Sequence, residues 1–130
     1  MRTGHNTPWG QADHVDTQYP IRGPHAGDRS RPIFLVHTPS HGGIFVPPNV
    51  LGAIPAKVLA STFAGGQGMR GWFEEDCDVA AVYAFLPDYF HADTIERVMP
   101  RIRDAATRDR VGIEHAIVEA LNARAAKVAT

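Results

Sequence analysis

The sequence predicts an α+β domain, with a small antiparallel sheet from the N-terminal half packed against about three helices from the C-terminal half. Three observations carry this prediction. Ile33-Phe34-Leu35-Val36 is apolar at consecutive positions, as in a strand covered on both faces. Val79 to Phe90 is almost wholly apolar and follows a cluster of acids. Beyond it, Ile95, Val98, Met99, Ile102 and Ala106 recur at helical spacing.

A chain of 130 residues suits a single domain over 1–130, with a loosely held arm at 1–10 and a frayed tail at 127–130. The composition is 44% hydrophobic and 21% charged, and the formal net charge is -1. That balance argues against bulk electrostatic binding of nucleic acid, which needs a strongly basic domain. It argues equally against an acidic mimic of DNA. Cys77 is the single cysteine, so an internal disulfide is excluded and a reducing cytoplasm is expected. The opening Met1 to His5 has no apolar signal core, and no run approaches the roughly 18 apolar residues of a membrane span. A cytoplasmic protein without a membrane partner follows.

In chain order, Gly4, Pro8 and Gly10 loosen the N-terminal arm, and Trp9 is expected to pin it to the core through buried aromatic area. Gln11 to Ile21 alternates brokenly and reads as a first strand. Arg22 to Arg31, with Gly23, Pro24 and Gly27, reads as a mobile loop. Pro32 to Thr38 is the clearest strand. Pro39-Ser40-His41-Gly42-Gly43 makes a tight turn, after which Ile44-Phe45-Val46 pairs back antiparallel until Pro47-Pro48 stops it. Pro55 to Thr62 suits a brief helix.

Ala64 to Gly71 holds four glycines in eight residues and reads as a flexible loop. No Lys-Ser/Thr pair follows it, so it lacks the chemistry of a phosphate-binding P-loop. A central helix is predicted over Phe73 to Leu86, its first turns holding Glu74, Glu75, Asp76 and Asp78, with Pro87 ending it. The next helix starts at Ala92 or Asp93, with a kink or interruption expected at Pro100 and an arginine-rich outer face that includes Arg97 and Arg101. The last runs over about Ile113 to Ala126.

Reactive side chains concentrate in two places, the turn with His37, Ser40 and His41, and the acids with Cys77. Pro39 and Gly42-Gly43 forbid one helix carrying both histidines, so this is no HExxH zinc site. Ser40 and His41 are neighbours on a turn and point apart, which suits a turn hydrogen bond better than a nucleophile with its base. Cys77 gains from a helix N-terminus but loses to its acidic neighbours. The acids are themselves favourable near the unsatisfied N–H groups of a helix start, by about 0.3 to 1 kcal/mol each. Four within five positions repel one another, and the excess points to a cation, a basic partner or the arginines of 97–110, a salt-bridged structural role being favoured. No metal and no cofactor is expected. The weak catalytic candidates are His41, Glu75 and Cys77, and a non-enzymatic role is favoured.

Thr7-Pro8-Trp9-Gly10, Thr38-Pro39-Ser40-His41-Gly42-Gly43, Trp72-Phe73-Glu74-Glu75-Asp76-Cys77-Asp78 and Phe85-Leu86-Pro87 together resemble a domain family without an assigned activity. Its members are small open reading frames of bacterial plasmids and phages, near accessory and antirestriction genes. The resemblance covers roughly residues 7–90. Phe73 stands where tyrosine is expected, Val79 where a second aromatic is expected, and the loop from Ala60 to Arg70 is extended. The resemblance implies a setting and assigns no catalytic residue.

That setting implies a mobile-element accessory protein that docks on a host protein and blocks it, such as an anti-CRISPR acting on a Cas protein or complex. The expected contact surface is Glu74, Glu75, Asp76 and Asp78, with Arg97 and Arg101, against a nucleic-acid-binding defence component in the host cytoplasm. Homodimerisation is compatible with so much apolar helix. The alternative is a small enzyme or metal-binding protein, its site formed by the Ser40-His41-Gly42-Gly43 turn and the Glu74-Glu75-Asp76-Cys77 segment.

Overall fold

The computed structural model describes residues 6–39, 41–62, 70–75 and 78–129. It is α+β, with a four-stranded antiparallel meander from the N-terminal half and its long helices in the C-terminal half. A short hairpin, β1 (Asn6–Thr7) and β2 (Gly10–Gln11), precedes the sheet. The sheet follows in the order β3 (His14–Gln18), β4 (Ile33–His37), β5 (Gly42–Phe45) and β6 (Trp72–Glu74). Between β5 and β6 the described residues form two short helices, α1 (Pro48–Leu51) and α2 (Ala56–Ser61). Helix α3 (Val79–Phe85), a 3-10 turn (Pro87–Tyr89), α4 (Ala92–Arg108) and α5 (Ile113–Ala129) complete the chain.

The two sheet faces have different tasks. Ile33, Ile44 and Phe73 face the helices and join Val46, Val58, Val82 and Ile117 in the core. Each such apolar side chain, withdrawn from water, stabilises by about 1.5–3 kcal/mol. Phe34, Phe45 and Trp72 sit in register across β4, β5 and β6, outside that core, and stay half-buried. Val36 on this second face is nevertheless buried.

The largest departure from expectation lies at Phe73. The predicted helix Phe73–Leu86 is a strand followed by a shorter helix. Trp72, Phe73 and Glu74 alternate between faces, and Phe73 pairs with Ile44. Gly71 makes this entry feasible. Its φ is +95°, a conformation L side chains rarely adopt, and its carbonyl accepts from the Val46 N–H at 2.8 Å. Glu74 and Glu75 therefore do not occupy a first helical turn, Asp78 immediately precedes α3, and α3 has no acid in its first turn. Tertiary pairing overrides a helix-start signal that the acids carry equally well outside a helix.

Two further expectations change. Arg22 to Arg31 is tied down rather than mobile: the Ile21 and Arg22 N–H groups donate to the Asp88 carbonyl, Gly27 donates to Pro20, and Tyr89 Oη donates to the Arg31 carbonyl. Helix α4 passes through Pro100 without interruption. Pro100 lies on the exposed side, where water can satisfy the carbonyl that lost its donor. Its inner side buries Ile102 and Ala106 against the core. Among the described residues, no helix is long and apolar enough to cross a membrane.

Candidate functional site

Three of the motifs meet at one place on the sheet. The Thr7 hydroxyl donates to the Gly10 carbonyl at 2.7 Å and accepts from the Trp9 N–H at 3.1 Å. This closes the β1–β2 turn and sets Trp9 over the second face. There the Trp9 ring meets Trp72 edge-on, with centroids 5.8 Å apart and planes at 89°, a favoured aromatic geometry. It fits because β5 has glycine beneath it: a Cβ on Gly43 would overlap both the Trp9 ring and the Phe73 carbonyl. The row continues from Trp72 to Phe45 at 4.7 Å and from Phe45 to Phe34 at 6.3 Å. Trp9 Nε1 is buried with no hydrogen-bond partner among the described residues. Phe45 also borders a cleft of about 600 Å³ with Leu51, Leu59 and Arg70.

At the adjoining end of the sheet, Thr38 builds the β4–β5 turn. Its N–H and hydroxyl both donate to the His41 carbonyl at 2.7 Å, and its hydroxyl oxygen accepts from the His41 N–H at 3.0 Å. Glu75 N–H then donates to the Gly42 carbonyl at 3.0 Å, which brings Glu75 beside the turn. Its carboxylate lies over Gly42, where a Cβ would approach Oε2 to 2.8 Å. His37 is the register partner of Gly42 on one side and of His14 on the other. The two imidazoles stand 6.0 Å apart, and His14 Nε2 lies 2.8 Å from Asp16 Oδ1. His37, His41 and Glu75 are exposed. The result is a polar rim of histidines and carboxylates beside the aromatic row.

The remaining expected residues separate. Glu74 is half-buried in β6 and engaged with its surroundings, Asp78 is only 4% exposed and likewise engaged, and Glu75 is exposed. Ser40, Asp76 and Cys77 lie outside the described residues. The structure thus sets His41 and Glu75 on neighbouring backbone, while the third weak catalytic candidate, Cys77, is not among the described residues. Among those residues, no group of three His, Cys, Asp or Glu is arranged to hold a metal ion. Arg97 and Arg101 lie on the exposed side of α4 and make no ion pair among the described residues. Arg101 instead borders a shallow recess with Tyr83 and Glu114.

A second polar site escaped the sequence reading. The β3–β4 connection folds against Tyr89 at the opposite end of the sheet from the His41 turn. Asp28 Oδ1 accepts from both the hydroxyl and the N–H of Ser30, which holds its carboxyl below the ordinary 3.8. Arg31 Nη1 lies 3.2 Å from His25 Nε2. Tyr89 and Arg31 are 58 positions apart, so no local pattern announces their contact.

Burial holds the Tyr89 phenol above its ordinary 10.0; Arg31 opposes this, while Asp28 and Asp88 add to it. The folded state therefore favours the neutral phenol. Its contribution is complete below pH 10.0 and is lost as pH rises through the raised folded value. Tyr89→Phe should cost about 1 kcal/mol at neutral pH and flatten the alkaline fall in stability. Urea unfolding across alkaline pH checks both, and an unchanged slope in the variant would refute the assignment to Tyr89.

A search of curated proteins and a search of solved structures each find no match. A family model described as a domain of unknown function (DUF7007) matches residues 2–120, from the Trp9 hairpin through the sheet and most of the helices. The chain belongs to that family.

Proposed function

We propose that this chain is a protein-binding module that acts as an inhibitor of a host-defence component, encoded by a phage or plasmid. The resemblance of its motifs to small mobile-element proteins supports the setting. The observation that supports the mode of action is the half-buried aromatic row Phe34–Phe45–Trp72, on the sheet face that the core helices leave free. Aromatic side chains anchor protein interfaces because they remove a large apolar area from water at small conformational cost. The rim beside the row carries the exposed carboxylate of Glu75, suited to a basic partner such as a nucleic-acid-binding Cas protein. The acidic surface of this reading is centred on Glu75, since Asp78 is buried.

The test is direct binding to purified Cas effector complexes and restriction enzymes, together with an interference assay in cells. Phe34→Ser and Glu75→Lys should each weaken binding by about tenfold or more. Both variants should keep the parent circular dichroism spectrum. Equal binding by both variants, or no inhibition of any defence system by the parent, would overturn the proposal.

A further inference from the structure

We infer that the β3–β4 connection forms a binding pocket for a small phosphate-bearing anion, with Arg31 and His25 as its principal contacts. This goes beyond the protein-binding reading and does not depend on it, because the pocket lies at the other end of the sheet from the His41 turn.

The pocket has a volume of about 210 Å³, and its lining includes His25, Arg31, Asn49, Val50, Leu86 and Tyr89. That size suits a single phosphate group or a short monoester and is below what a drug-sized ligand needs. The polar groups are mostly donors. A guanidinium donates only, so the Arg31 Nη1 contact at 3.2 Å makes His25 Nε2 the acceptor and places the imidazole proton on Nδ1. Arg31 Nε turns toward Asp28 Oδ2 at 3.8 Å, while Nη2 has no partner among the described residues. Asn49 spends one amide hydrogen on the Ser30 carbonyl. Tyr89 Oη spends its proton on the Arg31 carbonyl.

Asp28 does not line the pocket: its Oδ1 accepts from Ser30, and its Oδ2 faces Arg31 Nε. An anion in the pocket therefore competes with Asp28 for the Arg31 charge and is met by the guanidinium N–H groups on the side away from Asp28. Val50 and Leu86 are buried apolar walls of the pocket, while the Arg31 side chain is 44% exposed at its mouth. The segment is held for this purpose by contacts it could not make alone. Arg22 pairs with Asp88 at 3.8 Å, Arg29 lies 5.0 Å over the Tyr19 ring, and the Ile21 and Arg22 N–H groups reach the Asp88 carbonyl. A preformed cationic pocket loses less ordering entropy on binding than a loose loop would. Arginine matches phosphate and carboxylate alike through parallel N–H donors, and the greater charge and additional acceptor oxygens of phosphate set it above acetate.

The experiment is an NMR titration of the ¹⁵N-labelled full chain with inorganic phosphate, methyl phosphate and acetate in turn, at constant ionic strength. Saturable shifts are expected at the amides of Ser30, Arg31 and Asn49 with inorganic phosphate. Arg31→Gln should weaken phosphate binding about tenfold, since it removes a charge-assisted contact. Its backbone carbonyl remains to accept from Tyr89, and the other amide positions should be unmoved. His25→Gln should weaken binding about threefold through one lost neutral contact. Tighter binding of methyl phosphate would assign the site to an ester, and tighter binding of inorganic phosphate to the free anion. Absence of saturation at about 10 mM phosphate would overturn the inference, as would equal shifts with acetate or an undiminished response in Arg31→Gln.

Discussion

Gly43→Val should leave the protein unable to complete its sheet, with a loss of more than about 4 kcal/mol. Gly43 sits in β5 between two paired strands, opposite Val36 on one side and Glu74 on the other. A Cβ there would overlap the Phe73 carbonyl and the Trp9 ring. The carbonyl belongs to the neighbouring strand, so it cannot retreat without opening the β5–β6 pairing and drawing Phe73 out of the core. Even Gly43→Ala should cost about 3 kcal/mol. Trp9 can swing away, and the backbone cannot. The pair Trp9→Ala with Gly43→Ala should therefore cost less than the sum of the two single changes, while remaining well below the parent in stability. Urea midpoints followed by far-ultraviolet circular dichroism decide it. A Gly43→Ala protein within about 0.5 kcal/mol of the parent would show that the close packing of Trp9 on β5 is wrong.

Asp78→Lys should be the second severe change, at about 3–5 kcal/mol. Asp78 is 4% exposed immediately before α3, and its carbonyl accepts from the Ala81 N–H at 3.0 Å. A lysine there would bring a longer, oppositely charged side chain into an enclosed place arranged around a carboxyl group. Asp78→Asn keeps the shape and replaces one carboxyl oxygen with a donating NH2 group, so about 1 kcal/mol is expected. Glu75→Lys, three positions earlier and exposed, should stay within about 0.5 kcal/mol of the parent. Thermal unfolding of the three variants orders them. If Asp78→Lys were as stable as Glu75→Lys, Asp78 would belong to the surface after all. The contrast also governs how binding is tested, because a charge reversal at Asp78 would remove the fold together with any interface, and only Glu75 separates the two.

The elements read correctly from the chain were those with a strong local apolar pattern. Ile33 to His37 is a strand whose apolar residues serve two faces: Ile33 and Leu35 pack with the core, and on the other face Val36 is buried beside half-buried Phe34. Ala92 to Arg108 and Ile113 to Ala129 are helices because their stripes, through Ile102 and Ala106 and through Ile113 and Ile117, each meet one apolar surface. The expectation that Trp9 holds the N-terminal arm rests on the same reasoning, that its aromatic area must be buried somewhere. The sequence could not say where.

What failed has a common cause. Trp72-Phe73-Glu74-Glu75 carries acids that would favour a helix start, and it also alternates once as a strand does. A stretch this short contains too little periodicity to decide, and the open edge of β5 decided it. In the same way Gly23, Pro24 and Gly27 suggested a loose loop, because the groups that bind it, Asp88 and Tyr89, lie far along the chain. Composition and spacing alone determined the fold class, the strand at Ile33, the two long helices and the charge balance, since these follow from local apolar pattern and residue counts. Tertiary structure decided that Trp9, Gly43 and Trp72 form one surface, that Asp78 lies inside while Glu75 lies outside, and that His25, Arg31 and Tyr89 share a pocket, because each of these depends on which distant segment fills the space beside it.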